Sequence, residues 1–582
     1  SWARLDSAGQ RALAALSVFV GGFNREAAQA VAGAALRTLA VLADRSLLIR
    51  GEDGRYSLHE LVRQFAGERL EAAGESSGVR QRHSRWFLDF AAQRERAIKG
   101  RGQEVAFAEM EVNLQNIRAG WRWAAENHDI AHIASALESL GIFYNRIQYR
   151  SEGESAMEQG VTGLGDPLDA ENRLLHLRLQ GWHAIFLHFE GHTQASAEMM
   201  EHCLESLNHP DLAGTDTRAI RAFLCLHRGG LVMGDLHLAR TAREQTQAVA
   251  LFEELGDLWW LVRALRELGN LEVFVWHFPQ AKERLTAARE IAERIGDKGG
   301  LISVLDRLSR VFEEMGQVDE AEQIINDGIL LNQNDSTFEM TLRTRSGLIK
   351  SSAGRFDEAA DVLKAIIDRY QQLGVAHSIP FPFLQNALAR VYIHLGRYEA
   401  ALDIASGCVQ AWKKSFGWEH PFLLRTVGRA HLGMGHWDEG HRILNEIYHT
   451  RVQHWADVQM EAYLSNLIYA QLTVGEVTDI RPRLSGGIKN MRATGAYSLI
   501  IKSLPAAGLV LAQAGQLPQA AALHQISLRY PHIANSRWYA VVAMDRLAEL
   551  VGDVLPANCF DRLDTRADLS AITSALLALL DA

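Results

Sequence analysis

The stretch Gly354-Arg355-Phe356-Asp357-Glu358-Ala359 decides the fold, because its pattern returns about every forty residues. The pattern is a glycine, any residue, an aromatic or aliphatic residue, two further residues and an alanine. Its copies begin at Gly234, Gly316, Gly354, Gly396, Gly435 and Gly515, and weaker copies begin at Trp276 and Gly475. The successive steps from 234 to 515 are 42, 40, 38, 42, 39, 40 and 40 residues. Such a period is typical of a stacked helical solenoid and not of an enzyme core.

Each copy is expected at the turn between two antiparallel helices. The glycine would tolerate a close approach, the aromatic residue would fill the space between the helices, and the alanine would let the second helix pack closely. A small residue keeps phase seven positions earlier, at Gly269, Ser309, Gly347, Ala389, Gly428 and Gly508. This resembles the tetratricopeptide repeat, lengthened by about six residues, over residues 190–530. The resemblance implies an all-α, right-handed superhelical solenoid.

Composition limits the classes of function. Apolar residues make up 48% of the 582 residues and charged residues 22%, which excludes disorder. The net charge of −10 argues against a dominant nucleic-acid surface. Four widely spaced cysteines and the lack of a long apolar run fit a reducing cytoplasm. The chain starts without Met, which suggests a fragment of a longer protein. It carries no Gly-x-x-x-x-Gly-Lys, His-Glu-x-x-His or Gly-x-Ser-x-Gly motif, so we expect no enzyme.

The domain boundaries follow from the helix and turn signals. Residues 1–75 predict three helices, a hairpin around Gly51-Glu52-Asp53-Gly54 and a closing helix, which is a winged-helix domain. Residues 76–140 predict a helical connector, 141–567 the repeats, and 568–582 an apolar helix that caps the stack. Residues 1–75 hold nine Arg and no Lys against nine acidic residues, so DNA binding by this domain is not favoured.

The candidate binding residues come from the first helix of each pair, which lines the groove if the tetratricopeptide resemblance holds. The position six residues before the pattern is mostly arginine, and neighbouring positions add more arginine and asparagine. The full set is Arg228, Asn270, Arg307, Arg310, Arg345, Asn386, Arg390, Arg425, Arg429 and Asn466. Guanidinium forks clamp carboxylates or phosphates, so the pattern indicates a groove for a peptide or a small anion. The alternative is a solvated face whose arginines pair with acids on the next repeat.

Histidines crowd residues 420–454, but His431, His436 and His441 step by five, and one helix face needs steps of three or four. No metal site is therefore predicted. The tryptophans Trp259, Trp260, Trp412, Trp437 and Trp455 are expected in the core between helices and not in a ligand cage.

Three segments occur in the order of one known family. The stretches 13–33, 39–50 and 55–70, followed by Asn116-Ile117-Arg118-Ala119-Gly120-Trp121 and the repeats, resemble bacterial STAND signal-transduction ATPases of the tetratricopeptide type. The resemblance implies a P-loop module that is not among these residues, with ADP or ATP as its ligand. No cofactor is expected in this chain itself. His59 matches the histidine of the family's Met-His-Asp motif and would sense ADP, although Leu58 and Glu60 replace Met and Asp. The alternative for His59 is a helix-start residue packed against the wing.

The sequence therefore predicts the cytoplasmic sensor arm of a STAND-type switch. Its repeats would bind a protein, a peptide or a small inducer, and its winged helix would relay that event to the nucleotide-binding module. Oligomer assembly on activation is implied by the resemblance alone. The alternatives are a plain tetratricopeptide scaffold for partner peptides and a transcription regulator that binds DNA itself. No membrane contact is expected.

Overall fold

The computed structural model describes residues 2–166, 169–231, 238–332, 336–374, 380–450, 466–469, 471, 480–561, 563–565 and 568–582. The chain divides into two compact units. Unit 1 contains residues 1–233, 238–264 and 292–298, and unit 2 contains residues 234–237, 265–291 and 299–582. Almost all the described residues are α-helical, which confirms the predicted all-α repeat class.

The N-terminal elements follow the predicted order. They are α1 (Ser7–Leu16), α2 (Arg25–Ala32), α3 (Leu36–Asp44), β1 (Ile49–Arg50), β2 (Tyr56–Ser57) and α4 (Glu60–Ala72). Asn24 caps α2 by accepting the Ala27 N–H at 2.8 Å, and Gly33 ends the helix with a left-handed φ of 64°. The strands pair antiparallel with Ile49 opposite Ser57, and Phe23 adds a bridge to Tyr56.

A polar node joins these elements to the next helices of unit 1. The helices are α5 (Ser76–Ala92), α6 (Glu95–Ile98), α7 (Gln103–Val112), α8 (Leu114–Glu126) and α9 (Ile130–Ile147). The buried Asn116 accepts from the Val20 N–H at 3.0 Å and donates to the Gly22 carbonyl at 3.1 Å. Its Oδ1 also lies 3.1 Å from His83 Nε2, and burial lowers the pKa of His83 to about 4. The side chains of Asn116 and His83 are thus both hydrogen-bonded. Because they lie on α8 and α5, the node fixes residues 1–75 to these two helices.

Helix pairs then follow one another along the chain. The first are α10 (Arg150–Leu164), α11 (Ala170–Phe189), α12 (Thr193–Ser206), α13 (Arg218–Leu231), α14 (Leu238–Leu255), α15 (Leu258–Phe274) and α16 (Phe278–Ile295). The next are α17 (Lys298–Glu314), α18 (Val318–Leu331), α19 (Ser336–Ser352), α20 (Phe356–Gln372), α21 (Pro380–His394), α22 (Tyr398–Phe416), α23 (Pro421–Gly433) and α24 (Trp437–Thr450). Between residues 450 and 480 the structure describes only 466–469 and 471. Then come α25 (Ile480–Thr494), α26 (Tyr497–Gln513) and α27 (Leu517–Leu528).

The glycine of the pattern ends the first helix of each pair in a left-handed conformation. The φ angles lie between 75 and 78° at Gly316, Gly354, Gly396, Gly435 and Gly515. Glycine adopts this left-handed region without steric cost. The backbone conformation therefore explains the glycine at these positions better than the close approach that the sequence suggested. Close approach adds to it at Gly354, where a Cβ would lie 2.5 Å from the Pro531 carbonyl. The copies at Gly234 and Gly475 lie outside the described residues.

The in-phase small residues let the two helices of a pair touch. A Cβ on Gly269, Gly347 or Gly428 would lie 2.9 to 3.1 Å from a leucine sixteen residues later on the second helix. The aromatic and alanine positions behave as predicted, because Phe356 is 3% exposed and Ala359 is completely buried in the core of unit 2. The period of the sequence and the observed packing of the helices therefore agree, as expected for a sequence that specifies one fold.

The C-terminal part of unit 2 returns to the middle repeats. The short helices α28 (Pro531–Ala534) and α29 (Arg537–Tyr539) precede a π-helical turn at residues 540–544 and α30 (Asp545–Val551). Asn535 Nδ2 donates to the Gly354 carbonyl, and His532 Nδ1 lies 2.9 Å from the Ser351 carbonyl. The last helix, α31 (Leu569–Asp581), packs on α25, where Arg481 donates to the Leu579 and Leu580 carbonyls.

No single helix in the described ranges is both long and apolar enough to cross a membrane. Only α2 and α3 taken together pass a test of length and composition, and they bend by 104° between them.

Candidate functional site

Several of the predicted groove residues come together in unit 2 beside residues of its C-terminal part. Arg390 lies on α21, Arg425 and Arg429 lie on α23, and Lys502 lies on α26. We call these four residues the basic cluster. Besides burial, Arg425 contributes to lowering the pKa of Arg390, and Arg390 and Arg425 both contribute to lowering the pKa of Lys502, so the three side chains lie in one electrostatic environment.

Arg429 is the most rigidly held member of the basic cluster. Its residue is 8% exposed, and its guanidinium carbon lies 4.2 Å from the centre of the Trp538 ring. Trp538 in turn donates from Nε1 to the Arg429 carbonyl at 2.9 Å. A nitrogen of the guanidinium lies 3.3 Å from His394 Nε2. The rings of Trp538 and His394 thus contact the guanidinium, and the Trp538 hydrogen bond holds the Arg429 main chain.

His394 is a neutral acceptor in this arrangement. Burial first, and then the nearby His532 and the arginines, place its pKa well below the usual value. Because Nε2 faces the Arg429 N–H, the proton belongs on Nδ1, which lies 2.7 Å from Ser536 Oγ. Phe356 stacks on the imidazole with a centroid distance of 4.7 Å. His394 therefore adds no charge to compensate the basic cluster.

The cations of the basic cluster repel one another. Burial, and then the neighbouring Arg425, lower the pKa of Arg390 to about 10. Burial also lowers the pKa of Arg429 to about 9, with smaller contributions from Arg425 and Arg390. Both side chains stay protonated at neutral pH. Within the described part of the chain, neither forms an ion pair, and the Nε atom of each lacks a hydrogen-bond partner. A buried cation without a counter-charge costs several kcal/mol, so the arrangement calls for an explanation beyond packing.

Two carboxylates, Glu313 and Glu314 on α17, face the basic cluster. Glu313 is already shared with Arg345 at 3.6 Å and with the Ser352 hydroxyl. Glu314 accepts from Ser498 Oγ at 3.4 Å. Arg310 on α17 also interacts with these acids, and burial followed by Arg345 lowers its pKa. Glu313 and Glu314 therefore lie near more positive charges than two carboxylates can neutralise.

The remaining predicted groove residues of unit 2 differ in how their side chains are paired. Arg345 on α19 pairs with Asp306 on α17 at 3.5 Å, which matches the alternative of arginines that bind acids of a neighbouring repeat. Arg307 pairs with the same carboxylate at 3.5 Å from the next position of α17. Asn386 is fully buried one turn before Arg390, and neither of its amide atoms has a hydrogen-bond partner among the described residues. The other two positions are the buried Asn466 and the half-buried Asn270.

Arg228 in unit 1 has a different environment from that of its repeat-equivalents. It pairs with Glu244 at 2.8 Å and with Glu201, and Arg240 binds the same two acids. Its residue is 6% exposed. The structure thus gives Arg228 the paired arrangement and does not bring it to the basic cluster.

Other charged groups of unit 1 are paired in the same way. Glu138 accepts from Arg178 at 2.7 Å and from Trp260 Nε1 at 2.7 Å, and Lys99 lies 3.3 Å away. Burial opposes the charge of Glu138, but these partners outweigh it and hold its pKa at about 2. The group lines a cavity of about 360 Å³ with Glu95, Phe252 and Trp260. Its polar atoms satisfy one another and leave little for a ligand.

Sequence reasoning missed Lys502, His394 and Trp538. Each lies far along the chain from its partner; Trp538, for example, is 109 residues from Arg429. The repeat period locates residues within a helix pair, but it carries no information about which distant repeats meet. Among the tryptophans, Trp259 and Trp260 are buried in the core, as the sequence predicts.

His59 forms the N-cap of α4. Its Nδ1 accepts the Leu61 N–H at 3.3 Å, and the residue is exposed. The adjacent Glu60 binds Arg63 and Gln64. The ring is thus part of a helix start at the surface, with Nε2 on the opposite edge of the ring.

The histidine-rich stretch brings His431 Nδ1 to 3.5 Å from His436 Nδ1. In the ranges that the structure describes, His, Cys, Asp and Glu form no group of three that could hold a metal ion. His454 lies outside those ranges. All four cysteines are free, and three of them are buried.

Comparison with known proteins supports the repeat fold. Residues 384–422, which contain Asn386 and Arg390, match the family model of the tetratricopeptide repeat. A crystal structure of a STAND protein with a tetratricopeptide repeat sensor, from Pyrococcus horikoshii, resembles this chain with a TM-score of 0.51 at 14% identity. The likeness covers 77% of this chain and 63% of that protein. The chain has a tetratricopeptide-like repeat fold.

Curated relatives match at the level of sequence. Proteins of Mycobacterium tuberculosis and Mycobacterium bovis that are named HTH-type transcriptional regulators are 26% identical over 305 residues. The match covers 50% of this chain and 29% of each relative, so the chain spans less than a third of the relatives' length.

Proposed function

We propose that this chain is the cytoplasmic sensor arm of a STAND-type ATPase switch and that unit 2 binds a negatively charged signal. The observation that carries the proposal is the basic cluster, in which the half-buried Arg390 and the buried Arg429 have no acidic partner among the described residues. Buried cations of this kind are stable when a bound anion neutralises them. The STAND neighbour with a repeat sensor supports the same role.

The proposed output passes through residues 1–75, which we assign as a winged-helix domain. The Asn116 node and the hydrogen bond of 2.9 Å from Arg55 to Asn113 make this segment move with α5 and α8. Ligand binding that favours one arrangement of the arm shifts the population of the whole switch. His59 would face the nucleotide-binding module, which the sequence resemblance places outside these residues. A plain scaffold would not respond to His59→Ala in the full-length protein, whereas a switch would.

The direct test uses a fluorescein-labelled peptide of ten glutamates and fluorescence anisotropy at low salt. We expect the triple variant Arg310→Glu, Arg390→Glu, Arg429→Glu to bind at least tenfold more weakly, because each charged hydrogen bond contributes about 1.5–3 kcal/mol. The matched control carries the same charge change at the exposed Arg343, Arg397 and Arg492.

The control is expected to lose less than about threefold, since exposed charges act only through screened long-range attraction. Circular dichroism establishes that both triple variants keep their helical content. Equal loss in the two variants would mean nonspecific charge attraction, and unchanged binding in the first would exclude the basic cluster as the site.

DNA binding is the second candidate because the curated relatives carry that name. The exposed surface of α3 argues against it. Leu36 and Val41 are 53% and 40% exposed there, and Asp44 is exposed beside them. A helix that grips DNA presents clustered cations instead. Salt-dependent binding to random duplex DNA would restore this candidate.

A further inference from the structure

The pattern turn at Gly354 is covered by residues 531–539, which we call the closing segment. A Cβ on Gly354 would lie 2.5 Å from both atoms of the Pro531 carbonyl group, so this contact admits only glycine. Asn535 Nδ2 donates to the Gly354 carbonyl at 3.2 Å, although 181 residues separate the two partners. The closing segment therefore packs directly on the main chain of a much earlier repeat.

The closing segment also covers the side chain of Arg429. The Trp538 ring lies 4.2 Å from the guanidinium carbon, and Ser536 Oγ lies 2.7 Å from Nδ1 of His394, the imidazole that Arg429 contacts. Ser536, Trp538 and Tyr539 are themselves only 1 to 3% exposed, and Arg429 is 8% exposed. A ligand can pair with this guanidinium only after the closing segment has moved away from it.

The closing segment has little regular structure that could hold its shape without the repeats. It contains α28 with four residues and α29 with three, and a π-helical turn at residues 540–544 follows. Isolated helices shorter than about twelve residues are only marginally stable in water. The order of the closing segment therefore depends on its contacts with the repeats.

The hydrogen bonds that attach the closing segment to the repeats are neutral. Apart from the contact of the Trp538 ring with Arg429, the polar contacts in the part of the chain that the structure describes join it to the carbonyls of Ser351, Gly354 and Arg429 and to the neutral His394. Hydrogen bonds in which one group is ionised are roughly twice as strong as neutral ones. An anionic ligand that pairs with the Arg429 guanidinium therefore gains more per bond than the closing segment does.

We infer that the closing segment occupies the ligand surface of unit 2 until an acidic peptide displaces it. The inference rests on the proposed function, from which it takes a negatively charged ligand for Arg429. The ligand then pairs only with the open arrangement, so its binding raises the open population. By the same linkage, any change that opens the closing segment raises the apparent affinity for the ligand.

The first test measures hydrogen exchange of the whole wild-type chain by mass spectrometry, with and without the glutamate peptide at saturation. We expect the amides of residues 531–544 to exchange at least tenfold faster with the peptide bound, because the closing segment is released. The amides of α2 in unit 1 are the reference and should change less than twofold. Unchanged or slower exchange in residues 531–544 with the peptide bound overturns the inference.

The second test compares Gly354→Ala with Gly515→Ala by anisotropy of the glutamate peptide. Both glycines have a left-handed φ, of 75 and 78°, so alanine strains the two turns equally. Only the Cβ at 354 collides with the closing segment, since no described atom lies within 4 Å of a Cβ at 515. We expect Gly354→Ala to bind the peptide at least tenfold more tightly than wild type and Gly515→Ala to stay within twofold.

The outcomes separate this inference from the proposed function. Binding by Gly354→Ala that is no tighter than binding by Gly515→Ala overturns the inference. If wild type binds the peptide without faster exchange in the closing segment, the inference fails and the proposed function stands. Binding by Gly354→Ala but not by wild type supports both. If neither binds, both fail. Circular dichroism checks that the variants are folded, and the exchange experiment on wild type decides the matter if Gly354→Ala is not.

Discussion

Arg228 in unit 1 and Arg390 in unit 2 occupy the same position of the repeat, six residues before the pattern, but they have opposite surroundings. Arg228 has two glutamates within ion-pair distance. Arg390 has Arg425, Glu313 and Glu314 among its charged neighbours but forms no ion pair within the described residues. The repeat therefore determines where an arginine is placed, and its neighbours determine what it does. We propose that an arginine on this face is structural in unit 1 and binds a ligand in unit 2.

The same contrast holds for the pKa values. In unit 1 the partners of Glu138 stabilise its charged form and hold its pKa at about 2. In unit 2 the surroundings of Arg429 destabilise its charged form and lower its pKa to about 9. Perturbed pKa values of the second kind are typical of functional sites, because folding alone gains nothing from them.

Breaking a buried pair in unit 1 should have the largest effect. Asp297 is completely buried and accepts from Arg263 at 2.6 Å and from Gln103 at 2.6 Å. We expect Asp297→Ala to lower the free energy of unfolding by about 3–5 kcal/mol, since Arg263 loses its counter-charge. Urea unfolding followed by circular dichroism measures it. Glu26→Ala, in an exposed pair with Arg25, is the control and should cost under about 1 kcal/mol.

An effect of Asp297→Ala no larger than that of Glu26→Ala would break the comparison. It would mean that the charges of unit 1 are not held by their pairing.

The loss of stability at low pH should report the protonation of Glu138. Its pKa is about 4.5 in the unfolded chain and about 2 in the folded one, so the unfolded state binds the proton first. The stabilisation, about 3 kcal/mol, is complete above pH 4.5 and is lost as the pH falls towards 2. We therefore expect wild type to exceed Glu138→Gln in stability at pH 7 and the difference to shrink at pH 3. A difference independent of pH would contradict the paired state of Glu138.

Much of the fold could be predicted from the sequence because it depends on local chemistry. Asn24 and Gly33 mark the ends of α2, and Phe356 and Ala359 mark a packed helix pair. The role of the pattern glycine was only partly right, since the left-handed φ explains it better than close approach. The assignment of residues 1–75 as a winged helix stays a prediction.

The candidate site was less predictable, because it depends on contacts between distant repeats. The period located Arg390 and Arg429 but could not show that Trp538 and Lys502 lie against them. It also could not separate these arginines from Arg228, whose partners lie on adjacent helices. Ion pairs depend on which side chains are close in three dimensions, and the period of a sequence does not contain that information.

The most direct test of the account compares Arg390→Met with Arg228→Met by thermal unfolding, with and without the glutamate peptide. Without the ligand, Arg390→Met should be more stable than wild type by about 1 kcal/mol, because an uncompensated buried charge is removed. Arg228→Met should be less stable by about 2 kcal/mol, since Glu201 and Glu244 lose one of the two arginines that bind them. With the glutamate peptide, wild type should gain stability and Arg390→Met should gain little. If Arg390→Met is destabilised to the same extent as Arg228→Met, the arginines of unit 2 are structural and the account is wrong.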